Sequence, residues 1–213
     1  MVTNLSMGHT LLFITHTSLN LSKNTLIPFC DSTFPIYFLS RVLSRSGDYP
    51  VSDYQMLLAL ECALGTSLHN LTAKDLDPPF PCGYVLRGNH VTAISLCGLG
   101  LTVLPSSLFF FRQLEELYLS HNSLTELPPL LTQLPNLELL DLSYNQLIDL
   151  SRLSAIPSLT TLDLSGNDLS TSDLVPALDH PSLESLYLDE SLATQLGHEP
   201  SVKRLEIIQP SFV

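Results

Sequence analysis

Acidic and hydroxyl side chains recur at a regular spacing in the second half of the chain. Asp141 and Asp163 each stand two residues before a serine, and Ser120 is followed directly by His121. Paired carboxylates could perform glycosidase chemistry or hold a divalent cation, and a serine beside a histidine could be an activated nucleophile. Which of these chemistries is feasible depends on the elements that position the side chains.

Leucines repeat through the same region. Residues 114–128 read LEELYLSHNSLTELP, a pattern of the form L-x-x-L-x-L-x-x-N-x-L-x-x-L-P. The intervals between successive first positions are 23, 23, 22, 24 and 19 residues. Those first positions are Val91, Leu114, Leu137, Leu159, Leu183 and Val202. A repeat of this length is one supersecondary unit, which buries its apolar side only against neighbouring units.

This pattern resembles the leucine-rich repeat family, and it is most similar to the short intracellular repeats that end in Leu-Pro. The resemblance covers the chain from Val91 to about Ile208. It implies an α/β fold, a right-handed solenoid with a parallel concave β-sheet and with short helical, 3₁₀ or irregular convex segments. It also implies a role in binding other proteins.

We expect three segments in the chain. Residues 1–46 are predicted to be a poorly ordered or weakly structured extension, residues 47–90 an N-terminal cap, and residues 91–213 a domain of about six short repeats. The last repeat is shorter than the others, so the sequence leaves open how the C-terminal end of the solenoid is capped. The oligomeric state is also left open.

The cap is predicted to contain a helix and a hairpin. Ser52 or Asp53 can begin a short amphipathic helix, and Gly65 can end it. Two β-prone runs at 84–86 and 91–96 predict a hairpin with a four-residue link. The hairpin would give the first repeat strand an antiparallel partner and so protect its outer edge.

Within each repeat, structural positions alternate with variable ones. Positions 1, 4, 6, 11 and 14 are apolar and are expected to point inward. Position 9 is asparagine in three repeats, where the chain turns out of the strand and an amide can bond buried backbone groups. We predict a structural asparagine ladder, whose members are Asn122, Asn145 and Asn167.

Positions 3, 5 and 7 lie between the inward leucines of each strand, so their side chains face the concave surface. These positions form three columns across the repeats, and a partner would contact them. The residues predicted to bind a partner are Glu116, Tyr118, Ser120, Leu139, Asp141, Asp163, Ser185, Tyr187, Asp189, Arg204 and Glu206.

The repeats carry most of the acidic charge. The formal net charge of the chain is −12, and from Val91 onward 15 acidic residues face 4 basic ones. This charge disfavours nucleic acid and predicts a protein partner with a basic surface or segment. Asp141 beside Asp163 is a like-charge pair that costs stability unless solvent, a cation or a basic side chain relieves it.

Two tyrosines add to the evidence for a partner with a basic segment. Tyr118 and Tyr187 lie in the same column as the aspartates, one on either side of them. Aromatic rings that flank carboxylates suit a peptide that carries arginine or lysine. The alternative is that the carboxylates only keep a leucine-rich surface soluble.

The same arrangement disfavours catalysis. A row of carboxylates on parallel strands has no enclosed cleft that would perturb their pKa values. Neighbouring residues of a strand point to opposite faces, so His121 is not expected to be oriented toward Ser120. We predict no catalytic residue, no cofactor and no metal site.

Cysteine usage and hydropathy bear on the location of the protein. The four cysteines, Cys30, Cys62, Cys82 and Cys97, form no C-x-x-C pair, and we predict a reducing compartment, the cytoplasm. The apolar runs in residues 1–46 are too short to span a bilayer, so no transmembrane segment is expected. The serine- and threonine-rich, acid-poor character of this extension leaves organellar targeting open.

The sequence therefore predicts a non-enzymatic protein–protein interaction or scaffolding module that binds its partner through an acidic concave face. One alternative is a regulatory component of a small-GTPase or ubiquitin-ligase signalling system, a role known for leucine-rich repeat domains. Another is a carboxylate-dependent hydrolase.

Overall fold

The computed structural model describes residues 6–7, 10–11, 52–72, 81–196 and 204–207, with side chains for 52–72 and 81–196. The predicted N-terminal extension lies mostly outside the described residues. A short antiparallel pair, β1 (Ser6–Met7) and β2 (Thr10–Leu11), is its described part.

One sheet of eight strands organises the rest of the described chain. The strands lie in the sheet in the order in which they occur in the sequence. Only β4 and β5 are antiparallel, and every other neighbouring pair is parallel. The strands are β3 (His69–Leu71), β4 (Gly83–Arg87), β5 (His90–Ser95), β6 (Glu116–Tyr118), β7 (Leu139–Asp141), β8 (Thr161–Asp163), β9 (Ser185–Leu188) and β10 (Arg204–Ile207).

Short helical segments connect the strands. They are α1 (Asp53–Leu64), α2 (Val175–Leu178) and α3 (Glu190–Leu196), and 3₁₀ turns at Ser106–Phe110, Pro129–Gln133 and Leu153–Ala155. A mostly parallel sheet with short helices and 3₁₀ turns confirms the predicted α/β solenoid. We call each repeat a coil and number the coils from the one that contains β5.

Leucines fill the interior of the coils. In coil 3, Leu137, Leu140, Leu142, Leu147 and Leu150 are at most 1% exposed. The equivalent leucines of coil 2 are buried to the same extent, and all belong to one continuous apolar core. Each coil thus covers the apolar side of the next, which is why the repeat specifies the fold.

Helix α1 closes one end of this core. Met56, Leu57 and Leu60 are buried in the same apolar cluster as the first coil. The Asp53 carboxylate accepts a hydrogen bond from the Val91 amide at 2.7 Å, which attaches the helix to β5. The helix ends at Gly65, whose φ of 67° is unstrained because glycine has no side chain. The predicted cap helix is confirmed.

The predicted hairpin is confirmed with a tighter turn. Strands β4 and β5 run closer to the turn than the sequence suggested, so two residues, Gly88 and Asn89, link them instead of four. Strand β3, which the sequence pattern did not predict, pairs in parallel with the outer side of β4. At Gly83 a Cβ atom would clash with the backbone of His69, so only glycine permits this approach.

Candidate functional site

Parallel pairing aligns the predicted columns. In successive strands β6 to β9, Tyr118, Asp141, Asp163 and Tyr187 are directly paired neighbours. One position earlier along this face, Glu116 is followed by Leu139, Thr161, Ser185 and Arg204 in the same way. We call the described part of this surface the acidic face and define it by Glu116, Tyr118, Leu139, Asp141, Asp163, Ser185, Tyr187 and Asp189.

The two aspartates are held by identical contacts. Oδ1 of Asp141 accepts hydrogen bonds from the amide and the hydroxyl of Ser143, at 2.9 and 2.7 Å. Oδ1 of Asp163 accepts the same two bonds from Ser165, at 2.9 and 2.6 Å. An Asp-x-Ser sequence at the end of a strand therefore fixes each carboxylate in one orientation.

Burial sets the electrostatics of this pair. Asp141 is only 5% exposed. Desolvation raises its pKa, and the bonds from Ser143 and the nearby His121 oppose that rise. Desolvation also raises the pKa of Asp163, the bonds from Ser165 oppose it, and the charges of Asp141 and Asp189 raise it further. Both carboxylates are thus less stable as anions than exposed ones.

No arginine in the described part of the chain relieves them. The described arginines are Arg87, Arg112 and Arg152. Arg87 pairs with Glu115 at 2.9 Å, and Arg112 donates to the Gln133 carbonyl at 2.8 Å. Arg152 donates to the Leu127 carbonyl at 3.1 Å. Each described arginine is therefore engaged elsewhere.

The tyrosines at either side of the aspartates differ in their surroundings. The Tyr118 hydroxyl donates to Oε2 of Glu116 at 2.8 Å. Burial and the adjacent Glu116 carboxylate raise the pKa of this phenol. Tyr187 is half-buried in the last strand of this group whose side chains are described. Both rings thus border the carboxylates, and Tyr118 is fixed by an acid of its own coil.

The serines of the third column lie below the surface. Ser120, one of the predicted contact residues, is 1% exposed, and its hydroxyl donates to Sγ of Cys97 at 3.1 Å. Ser143 and Ser165 are also buried, and their hydroxyls bond the aspartates. A partner on the acidic face would meet the carboxylates, and the serines would support them from beneath.

The buried thiol next to Ser120 belongs to the same layer. Desolvation raises the pKa of Cys97, which keeps the thiol neutral and poorly nucleophilic. Cys82 donates its Sγ–H to the Cys97 carbonyl at 3.2 Å, and both are free thiols.

Asp189 has a backbone partner. In the earlier coils the amide at position 8 donates to a serine carbonyl of the following strand, as His121 does to Ser143 at 3.1 Å. Gly166 donates instead to Oδ2 of Asp189 at 2.9 Å. Asp189 therefore replaces a backbone acceptor where the regular pattern ends. Arg204 and Glu206 belong to β10, whose side chains are not among those described.

The asparagine side chains bond the backbone of two coils at once. Nδ2 of Asn145 donates to the carbonyls of Leu119 and Leu142, each at 3.0 Å. Its Oδ1 accepts the Leu124 amide at 3.0 Å. Asn122 and Asn167 repeat this arrangement one coil earlier and one coil later. All three amides are used by the backbone, so they have a structural role.

One feature of this surface was missed in the sequence. Position 8 has a positive φ in four successive coils: 68° at Gly98, 55° at His121, 51° at Tyr144 and 69° at Gly166. The rings of His121 and Tyr144 are stacked, with centroids 4.4 Å apart and planes 5° apart. The Tyr144 ring also lies on Gly166, where a Cβ would come within 2.6 Å of it. Gly98 and Gly166 occupy this same repeat position, and they were the sequence pattern from which the positive φ could have been predicted.

These positions do not assemble a nucleophile or a metal site. The Ser120 hydroxyl contacts the Cys97 thiol, while His121 stacks on Tyr144. Among the residues that the structure describes, no three His, Cys, Asp or Glu side chains are grouped so that they could hold a metal ion. Nor does any helix in these residues have the length and apolar character needed to cross a membrane.

Comparison with known proteins identifies the repeats. Residues 89–147 and 112–169 match the family model described as leucine rich repeat. Residues 89–169 are therefore leucine-rich repeats, and such repeats form protein–protein interaction modules. No curated protein matches the chain.

Solved structures of leucine-rich repeat proteins are among the 145 chains that match. An internalin from Listeria monocytogenes is 21% identical over 55% of this chain and 34% of its own, with a TM-score of 0.42, so the chain spans about a third of that protein. The SNF/U2A' complex of Drosophila melanogaster gives 20% identity over 68% and 87%, with a TM-score of 0.45. The ectodomain of the receptor kinase SOBIR1 from Arabidopsis thaliana gives 23% identity over 76% and 99%, with a TM-score of 0.46.

Proposed function

We propose that this protein is a non-enzymatic protein-binding or scaffolding module that takes a basic segment of its partner on the acidic, concave face of the sheet. The observation that supports this proposal most directly is the pairing of Asp141 with Asp163 in register, while each described arginine is engaged elsewhere. The residues expected to contact the partner are the members of the acidic face, together with Arg204 and Glu206 of β10.

The electrostatic cost of the pair supports a cationic partner. Neighbouring strands are about 4.8 Å apart, so two carboxylates directly opposite each other repel. Burial strengthens this repulsion because less water screens the charges. A guanidinium or ammonium group placed between them would relieve the repulsion and form charge-assisted hydrogen bonds. The free protein thus holds an unfavourable charge that a basic partner makes favourable.

The fixed orientation of the carboxylates supports binding as well. Ser143 and Ser165 hold Oδ1 of each aspartate, so little side-chain freedom remains to be lost when a partner binds. A surface whose carboxylates serve only solubility needs no such support, because solvated carboxylates are stable as anions in any orientation.

The proposal is tested with a double substitution, Asp141→Asn with Asp163→Asn. Asparagine keeps the Oδ1 acceptor for the serine bonds and removes two charges, so the sheet should be preserved. The control is Asp168→Asn with Asp179→Asn, which removes two charges from exposed positions outside the acidic face. Binding of an oligolysine peptide is measured by fluorescence anisotropy at several salt concentrations.

We expect the Asp141/Asp163 variant to weaken binding by about tenfold or more, and the control variant to retain affinity apart from a small salt-dependent change. Affinity capture from a cell lysate with the same three proteins then asks whether a natural partner is lost selectively. If the Asp141/Asp163 variant and the Asp168/Asp179 control bound the peptide equally well, the acidic face would not be the binding site.

We also place this function in a reducing compartment such as the cytoplasm. Cys82 and Cys97 are free thiols, which supports this location. Capture of a GTPase that depends on its bound nucleotide would favour the regulatory alternative over a scaffold.

A further inference from the structure

A histidine occupies a core position in the convex segments of the coils. Three residues before each new coil begins, coils 1, 2 and 3 carry Phe111, Leu134 and Ile156, which are at most 1% exposed. Coil 4 carries His180 there, and it is 6% exposed. In all four coils the amide at this position donates to the carbonyl three residues earlier, so the backbone is equivalent. Coil 4 thus buries an ionisable ring where the repeat accepts an apolar side chain.

Neither ring nitrogen of His180 has a hydrogen-bond partner among the described residues, and both nitrogens are buried. The carbonyls of Leu153 and Ile156 lie close enough to favour a protonated ring, but each already accepts an amide, from Ile156 and Leu159 respectively. Desolvation outweighs their effect and lowers the pKa of His180 from its ordinary value of 6.5. The buried ring therefore resists a proton.

The charged side chains on the surrounding elements do not compensate a proton on His180. Arg152, just before the 3₁₀ turn of coil 3, has the same charge as a protonated ring and is engaged with coil 2. Asp173 accepts hydrogen bonds from its own loop. Asp179 and Glu184 are exposed to water. A proton on the ring would therefore be buried without a carboxylate bonded to it.

The histidine belongs to the joint between coils 3 and 4. Its own backbone is part of coil 4, whereas the two carbonyls beside its ring are part of coil 3. The same two coils carry Asp141 and Asp163, which β7 and β8 align. A protonated ring is costly while it is buried, and it regains water only if the two coils move apart. We call this contact the coil 3/4 joint, and protonation of His180 acts against it.

We propose that His180 makes the coil 3/4 joint acid-sensitive, so that its protonation loosens coil 4 from coil 3 and weakens the alignment of Asp141 with Asp163. A partner bound across the two aspartates holds the same joint closed, so binding and protonation oppose each other. This opposition rests on the proposed function, whereas the acid sensitivity is a property of the coils alone.

Proton uptake gives the effect a defined sign. In the open joint the ring regains water and its pKa returns to 6.5, whereas the pKa in the closed joint is lower. The open joint therefore binds more protons below pH 6.5, so acidification favours opening until the ring of the closed joint is protonated too. Because one proton is involved, opening increases by at most about tenfold per pH unit.

Amide exchange at two joints, followed by NMR, measures the opening. The amides of Leu142 and Tyr144 donate across the coil 3/4 joint to carbonyls of coil 4. Those of Leu119 and His121 donate in the same way from coil 2 to coil 3, two coils that carry apolar side chains at the histidine position. From neutral pH to about pH 5.5, protection at the coil 3/4 joint should fall by up to about tenfold after correction for intrinsic exchange, while protection between coils 2 and 3 should stay constant.

Variants at His180 assign the effect to its ring. His180→Leu installs the side chain that coil 2 carries at this position, and His180→Gln keeps a neutral polar group. Neither can take up a proton, so each should show the same protection at both pH values, and one folded variant is enough to decide. His69→Gln is the control because it removes an exposed histidine from β3, and it should behave as the wild-type protein.

Two outcomes overturn the acid-sensitive joint. One is a loss of protection that persists in the folded His180 variants. The other is a wild-type protein in which both joints respond equally to acid.

Oligolysine separates this inference from failure of the proposed function. At about pH 5.5, saturating peptide should restore protection at the coil 3/4 joint of the wild-type protein, because it binds the closed joint. If the peptide binds and protection is not restored, binding and protonation are not coupled. If the peptide does not bind at neutral pH, the proposed function is wrong, and exchange at the two joints still decides whether His180 makes the joint acid-sensitive.

Discussion

Neighbouring residues of β7 lie on the two sides of one sheet, and their burial has opposite effects on the free energy of the folded state. Leu140 is 0% exposed and packs in the apolar core, whereas Asp141 is 5% exposed on the other side. Burial of the leucine lowers the free energy of the folded state. Burial of the aspartate raises it, and the two bonds from Ser143 offset part of that cost. The leucine side of the sheet therefore builds the fold, while the acidic side carries an unfavourable charge that a ligand can relieve.

The largest expected effect comes from the leucine side. Leu140→Ala removes a fully buried side chain from a core that neighbouring coils share, and it should cost about 3 kcal/mol in the free energy of unfolding. Urea unfolding measures the change. The adjacent substitution Asp141→Asn is the matched comparison and should lose none of this stability. If the two substitutions were equally destabilising, the two sides would not differ as described.

A smaller loss is expected where the core meets the backbone turns. Asn145→Ala leaves the Leu124 amide without its side-chain acceptor, and it removes one of the two asparagine donors from each of the Leu119 and Leu142 carbonyls. Because buried polar groups without partners are costly, we expect a loss of about 2 kcal/mol. Thermal and urea unfolding should agree on this value, and oligolysine affinity should stay at its wild-type level in the folded protein. A loss of oligolysine affinity in the folded variant would show that Asn145 contributes to binding and is not only structural.

Two glycines give a matched pair with a smaller difference. Gly98→Ala and Gly166→Ala face the same positive φ, so each should lose about 1 kcal/mol. At Gly166 the added methyl group also meets the Tyr144 ring, whereas the space at Gly98 is open. Gly166→Ala should therefore be the more destabilising by up to about 1 kcal/mol, as measured by urea unfolding. Equal losses would indicate that the ring moves away freely.

The smallest stability effect is expected on the acidic side, and its sign is opposite. Asp141→Asn with Asp163→Asn should raise the free energy of unfolding at neutral pH by less than about 1 kcal/mol, because the unfavourable charges are removed.

The pH dependence follows from the raised pKa of both aspartates. Their folded-state pKa lies above the unfolded value near 3.8, so the folded protein binds more protons between these values. The destabilisation is complete above the folded-state pKa and disappears as the pH falls to 3.8. The advantage of the double variant should therefore shrink over that window in urea unfolding. An advantage that grows on acidification would contradict the direction of both shifts.

The leucine side could be predicted from sequence because its rule is local. A period of about 23 residues and the alternation of side chains placed Leu117, Leu140 and Leu162 inward and aligned Asp141 with Asp163. The cap helix followed from capping residues, and the hairpin from two β-prone runs. Strand β3 was missed because His69–Leu71 has no alternation and is specified by its contact with β4.

The acidic side was less predictable because its properties depend on contacts between coils. Alternation correctly directed Ser120 away from the leucines, but it could not indicate that the hydroxyl lies beneath the carboxylates against Cys97. Neither could it indicate that Asp141 is buried. Positive φ at His121 and Tyr144 is a backbone property that only the glycines at the equivalent positions suggested.

The asparagine ladder also fixes a unit of length. Because each amide clamps two coils, the coils keep a constant pitch of about 4.8 Å along the solenoid axis. An extended peptide running along that axis presents side chains of one face only every 6.6 Å or so. The two periods do not coincide, so consecutive same-face residues of such a peptide cannot each meet one carboxylate of the pair. A single cation shared by Asp141 and Asp163 therefore fits these two spacings better than two cations do. A partner segment with isolated basic residues would bind the pair as well as a run of basic residues.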